Sequence, residues 1–262
     1  MTQWKLANYD LSAFGVITLM DDYLDIPDTR GSNQVIPYQH GEVFVQKYFE
    51  ARTLQFGITI ASATISIMEG LVEELKKLIA PRTQQTLTQI LVDGTTRTAL
   101  AIAERAMSTS RPAPNVTKLT LELTLARPFF RNSTVIADNT LTINASPKAM
   151  TVVNPGSMEE RDPTITIDGP FSSITITNST NSTAVTYTGA IGAAENVVIA
   201  TATTGEYTAG LSAGSVNGIG NVTHAGSPAL LVLEPGSNTL AITSAGGDNS
   251  GTVKIAFYAP YI

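Results

Sequence analysis

A chain of 262 residues, 43% apolar and 15% charged, has ordinary globular composition and is long enough for two cores. It has no cysteine, which excludes disulfides, thiolate metal sites and cysteine nucleophiles. Charge is uneven: residues 1–155 hold 14 Lys/Arg and 14 Asp/Glu, whereas 156–262 hold 2 cations (Arg161, Lys254) and 8 acids, so the net −6 lies in the second part and argues against a tightly held nucleic acid.

The start, "MTQWKLANYD", carries Lys5 and Asp10 and lacks the apolar run of a secretory signal. No run of ~18 or more apolar residues follows, so membrane insertion is not expected. The next organised stretch is "RGSNQVIPYQHGEVFVQKYFEARTLQFGITI", residues 30–60. Gly31-Ser32-Asn33 is turn chemistry, and His40-Gly41 makes a second turn. Phe44, Tyr48 and Phe49 then interleave with Lys47 and Arg52. This could be a stacking surface for bases or sugars, or a strand pair with its aromatics in the core and its cations at the rim. The small local charge favours the second, because stacking platforms sit in basic grooves.

Leu54, Phe56, Ile58 and Ile60 alternate with Thr53, Gln55, Gly57 and Thr59, the period of a half-buried strand. In "SIMEGLVEELKKLIAP", apolar residues recur at three- and four-residue spacing, which predicts an amphipathic helix over 67–80. Ser66 is the expected N-cap with Glu69 behind it, and Pro81 the stop. Glu73 and Lys77 pair on the exposed face, so "EELKK" reads as a solvated surface. Asp93-Gly94 lies between two β-prone runs, a strong hairpin signal. Leu119, Leu121, Leu123 and Leu125 alternate with polar residues in a further strand that Pro128 should terminate.

The segment "NPGSMEERDP", 154–163, has the Pro, Gly and charge of a linker, giving expected domains 1–155 and 156–262. Beyond it come short strands: "TITI" (Ile165, Ile167), "ITIT" (Ile174, Ile176), "AVTYTG", "NVVIAT", "ALLVLE", "NTLAIT" and "TVKIAFYA". Asp168-Gly169-Pro170, Gly205, Asn217-Gly218, Pro235-Gly236 and Gly246-Gly247 punctuate them. The pattern predicts an all-antiparallel sandwich or jelly roll without a helix. Such folds often bind sugars through exposed aromatics, and this part offers Tyr187, Tyr207, Tyr258, Tyr261, Phe171 and Phe257, several at core-facing or terminal positions. A carbohydrate-binding module that attaches to a host surface is therefore the alternative function.

Catalytic and metal chemistry find no constellation. His40 and His224 fall in different parts, each beside a turn glycine, where a histidine is expected exposed and inert. No His/Asp/Glu cluster has metal-ligand spacing, and no cofactor is expected. "GLSAG" around Ser212 has the letters of a nucleophile elbow without its strand–turn–helix setting. "GSVNGIG" is a turn region with no helix after it to cradle phosphate. Asp21-Asp22 and Glu159-Glu160 read as loop carboxylates. The six sequons at Asn115, Asn132, Asn144, Asn178, Asn181 and Asn221 carry little without a secretion signal. The expectation is a protein that is not an enzyme, with no catalytic, cofactor or metal residues.

The run "DTRGSNQVIPYQHGEVFVQKYFEARTLQFGITI", the helix, "PRTQQTLTQILVDGTTRTA" and "LTLELTLARPFF" resemble, in that order, the distal tail proteins of long-tailed bacteriophages. "PTITIDGPFSSITITN", "LEPGSNTLAI" and "SGTVKIAFY" resemble the galectin-like sandwich that follows in many members. The resemblance implies a mainly β fold: a ring-forming N-terminal β domain with one helix, then a galectin-like sandwich. It implies a structural virion protein of the tail tip, made in the cytoplasm of the bacterial host. Members form a homo-oligomeric, hexameric ring that joins the tail tube protein to the tail hub and other baseplate proteins, and DNA leaves through its lumen without being specifically bound. Six copies closed about an axis would hide the sheet edges that a strand-rich domain leaves open.

Overall fold

Alternating apolar side chains set the architecture of both halves of the chain, each half building its own core. The computed structural model describes residues 2–19, 26–35, 42–43, 48–80, 83–201, 207–211, 216–226, 230–245 and 250–262. It divides into two compact units, Met1–Ser133 with Ile262, and Thr134–Tyr261.

The first unit runs β1 (Gln3–Leu6), β2 (Tyr9–Asp10), β3 (Val16–Leu19), β4 (Thr29–Arg30), β5 (Gln34–Val35), β6 (Glu42–Val43), β7 (Tyr48–Phe49), β8 (Arg52–Ala61), α1 (Ile65–Ile79), β9 (Gln85–Ile90), β10 (Thr96–Ala113), β11 (Val116–Leu125) and β12 (Phe130–Asn132). Its main sheet is antiparallel in the order β2-β1-β9-β10-β11-β8-β3, with β12 alongside β10. The two leucine-rich strands meet in register: Ile58 opposes Leu119, Phe56 opposes Leu121 and Leu54 opposes Leu123. All six are buried, each contributing about 1.5–3 kcal/mol of burial free energy. Trp4 packs edge-on against Phe56 (5.2 Å) and Phe130 (5.8 Å).

Helix α1 seals this core with Met68, Leu75 and Leu78. It begins earlier than its apolar spacing suggests, because Thr64, not Ser66, is the N-cap: the Thr64 hydroxyl accepts the Ile67 N–H at 3.3 Å, and Ser66 lies within the first turn. On the exposed face Glu73 pairs with Lys76 (2.7 Å) rather than Lys77, both side chains well solvated. Pro81 lies outside the described residues. The Asp93-Gly94 hairpin forms as expected between β9 and β10. Gly94 takes φ +86°, its N–H reaches the Leu91 carbonyl (3.0 Å), and the Asp93 carboxylate accepts the Thr95 N–H (2.9 Å). Strand β11 ends at Leu125, ahead of Pro128. Two short antiparallel ribbons, β4 with β7 and β5 with β6, precede β8.

The second unit runs β13 (Ile136–Thr142), β14 (Lys148–Asn154), β15 (Thr164–Asp168), β16 (Ser173–Asn178), β17 (Thr183–Tyr187), β18 (Asn196–Thr201), β19 (Tyr207–Leu211), β20 (Val216–Asn217), β21 (Val222–Ala225), β22 (Gly236–Ala245), β23 (Thr252–Phe257) and β24 (Pro260–Tyr261). Among the described residues, one sheet is ordered β13-β23-β15-β18-β19-β20 and the other β14-β22-β16-β17-β21. Ile165, Ile167, Val253 and Ile255 of the first interlock with Ile174, Ile176, Leu240 and Ile242 of the second in one core.

Three expectations change here. The boundary lies at 133/134 and not at 154–163, because β13 pairs with β23 and β14 with β22, which draws residues 134–154 into the second unit. Composition hid this, since Asp138 and Lys148 keep that stretch neutral. Of the apolar run "ALLVLE", the described residues 230–234 form no ladder strand: Leu231, Val232 and Leu233 are all buried, with a single bridge from Leu233 to Glu160. A short 3-10 turn, Ile219–Asn221, stands where no helical residues were expected.

Candidate functional site

The sheet of the first unit has one face against α1 and another open to solvent. Period two decides which residue goes where: Leu54, Phe56 and Ile58 point to the helix, so Thr53, Gln55 and Thr59 point away. The same rule sends Thr86, Thr88, Thr98, Leu100, Ile102 and Thr124 to the open face, where all are half-buried or exposed. Threonine suits this role, since its branched Cβ packs on a pleated surface while its hydroxyl stays wet.

Two pairs of opposite charge meet across strands of this face, while Lys118 stands across from Thr59 and Arg131 from Thr98. Lys5 on β1 stands across from Asp10 on β2. The Asp10 carboxyl is held below the usual carboxylate range, first by the Ser12 hydroxyl (2.7 Å), then by the Ser12 N–H (2.9 Å), with Lys5 adding attraction. Arg105 on β10 stands across from Glu122 on β11 and grips its carboxylate with two hydrogen bonds, Nε to Oε2 (2.6 Å) and Nη2 to Oε1 (2.7 Å). Lys118 is exposed on the same face. The outward side of α1 is different in kind, with Glu69, Glu73, Glu74, Lys76 and Lys77 all charged. Beside the helix, Met68, Val72, Leu75, Leu119, Arg111 and Thr117 line an open groove of about 500 Å³.

Residues singled out from the sequence do not converge. His40, Ser212, Asp21-Asp22, Phe44 and Lys47 lie outside the described residues. His224 is half-buried in β21 opposite Val185, not in an exposed turn, and burial pushes its pKa down. Glu159 and Glu160 part company: Glu159 pairs with Arg161, whereas Glu160 is buried beside Leu233 and accepts the Asp162 N–H (2.6 Å). Phe49 packs edge-on against Phe129 (5.3 Å), while Tyr48 stays 40% exposed. Arg52, expected at a rim, is buried. Of the aromatics available to a sugar, Tyr187, Phe171 and Phe257 are buried in the sandwich core.

The sequons proved informative for another reason. Asn178 is fully buried and donates to the Val232 carbonyl (2.7 Å) and to Asn238 Oδ1 (2.9 Å). Asn181 donates to the same carbonyl at 3.1 Å. Asn238 in turn donates to the Glu234 carbonyl (2.8 Å), and Asn154 to that of Leu233 (3.0 Å). This asparagine cluster satisfies the carbonyls of Val232, Leu233 and Glu234, while Thr183 and Glu160 accept the Val232 and Leu233 N–H groups. Their spacing in sequence gave no sign of it.

No protein-family model matches the sequence, and no match is found among curated proteins. Among solved structures, the Dit protein (gp 19.1) of SPP1, a paradigm of hub adsorption apparatus in Gram-positive infecting phages, superposes with a TM-score of 0.67 at 15% identity. The likeness covers 98% of this chain and 99% of that one. The chain has the fold of SPP1 Dit. The mainly β architecture expected from the sequence therefore stands. Chains of the phage p2 baseplate in its activated conformation, with Ca and with Sr, match over the full length of both at 10% and 11% identity, with TM-scores of 0.46 and 0.42. Among the described residues, no helix is long and apolar enough to cross a membrane.

Proposed function

We propose that this protein is a structural component of a phage tail tip, assembling as a hexameric ring that joins the tail tube to the hub and encloses the DNA exit channel. One observation carries the reading: the likeness to SPP1 Dit runs through both units and nearly the whole of each chain. The role asks for surfaces and no bond-making chemistry. In the ring, the threonine-rich sheet face of the first unit lines the passage. A carboxylate opposite a cation weakens its hold on passing phosphates, and on this face Lys5 and Arg105, though not Lys118 and Arg131, each stand opposite one. Among the described residues the four-residue strand β3 ends the sheet, with Val16 70% exposed, and offers an edge for a neighbouring copy to cover.

Light scattering and negative-stain imaging of the purified chain test this reading. Annular particles with a mass near six times 27.7 kDa are expected. A chain that remains monomeric at the highest soluble concentration, and shows no annulus when mixed with a tail tube protein, would overturn it.

A further inference from the structure

Arg105 and Glu122 face each other just beyond a bulge in β10, between Ala103 and Arg105. Besides the two guanidinium bonds, the Glu122 carboxylate accepts Gln55 Nε2 at 3.2 Å from the neighbouring strand. The carboxylate side chain keeps 13% of its accessibility and the arginine 54%. The anion therefore lies beneath and the cation on top, so solvent meets a guanidinium whose charge is cancelled from below. Arg105's hydrogen bonds hold the Glu122 carboxyl below the usual carboxylate range.

We infer that Glu122 acts as a charge mask, fixing Arg105 in the sheet surface while cancelling the charge that would otherwise retain DNA phosphates. The inference rests on the proposed reading in which this face lines the DNA passage. Symmetry makes the mask matter. One freed arginine per chain becomes six around a hexameric lumen, and six phosphate contacts steepen the salt dependence of DNA binding by about 5 logarithmic units per decade of salt. Simultaneous engagement adds avidity that no single contact has.

Glu122→Gln preserves the shape and an acceptor and removes the charge. In the assembled protein, anisotropy of a labelled DNA duplex should then report affinity roughly tenfold or more above the wild type at low salt, with a steeper salt dependence. Adding Arg105→Gln to Glu122→Gln should return binding to the wild-type level. An assembled Glu122→Gln protein that binds DNA no better than the wild type overturns the proposal. Phenylglyoxal modification of Arg105, followed by mass spectrometry, reads the mask without requiring a ring. It should run faster in Glu122→Gln, and an unchanged rate also overturns the proposal. Light scattering of the same samples separates the two readings: a monomer in which Glu122→Gln still exposes Arg105 counts against the ring alone and supports the mask.

Discussion

Replacing Asn178 by aspartate changes one donor group into an oxygen at a site with no solvent access. In the native protein Asn178 Nδ2 donates to the Val232 carbonyl and to Asn238 Oδ1, while its own Oδ1 accepts the Thr180 N–H at 3.0 Å. A carboxylate there would face two acceptors. Full burial raises a carboxyl pKa by about 3–5 units. The low end of that range corresponds to about 4 kcal/mol at neutral pH. When protonated, the replacement carboxyl still offers one O–H, and the deficit shrinks to about 1 kcal/mol, the worth of one lost hydrogen bond. The sign follows from linkage. The folded pKa lies above the unfolded value, so the native state binds the extra proton, and the variant loses stability as pH rises from ~4 towards ~7. Asn178→Ala has no such proton. It should cost about 3 kcal/mol at every pH, from three hydrogen bonds of about 1 kcal/mol each. No acceptor is fully orphaned in either variant, since Asn181 still reaches the Val232 carbonyl and the Glu234 N–H still reaches Asn238. Urea unfolding followed by far-ultraviolet circular dichroism across that pH range measures both variants. Fluorescence of Trp4, the sole tryptophan and part of the first unit's core, follows the other unit in the same samples. Stabilities of the aspartate variant and the wild type that run parallel across the range would refute the reasoning.

Four further substitutions isolate single terms. Thr64→Ala removes the helix cap and should cost about 1 kcal/mol in thermal unfolding, whereas Ser66→Ala should leave the transition nearly unchanged. Equal effects would return the cap to Ser66. Gly94→Ala meets no atom within 4 Å but must adopt φ +86°, so its cost should be the conformational term alone, about 1–2 kcal/mol. Gly251→Ala presents the opposite case: its Cβ would lie 2.2 Å from the Asp168 carbonyl oxygen and 2.3 Å from Phe171. Backbone and core must then shift, and a loss of about 3 kcal/mol or more is expected in denaturant titration. A Gly251→Ala protein as stable as the wild type would show that the contact is soft.

The amino-acid sequence alone settled whatever depends on near neighbours. Alternation placed Leu54 to Ile60 and Leu119 to Leu125 on strands, the three- and four-residue spacing placed the helix, and Asp93-Gly94 placed the hairpin. Each rule links a side chain to others a few positions away, and the geometry of a strand or helix fixes that relation before any tertiary contact forms. Tertiary structure alone decided which strands share a core. Residues 134–154 joined the second unit because β22 and β23, far along the chain, offered them partners. The run "ALLVLE" alternates no better than a buried loop does, and it became one because Asn154, Asn178 and Asn181 satisfied its carbonyls in place of a ladder. The Arg105–Glu122 pair belongs with these. Neither residue is unusual in its own strand, and their meeting depends on a register between β10 and β11 that a bulge shifts. Long-range pairing satisfies backbone and charge jointly across distant segments, and no local pattern encodes that choice.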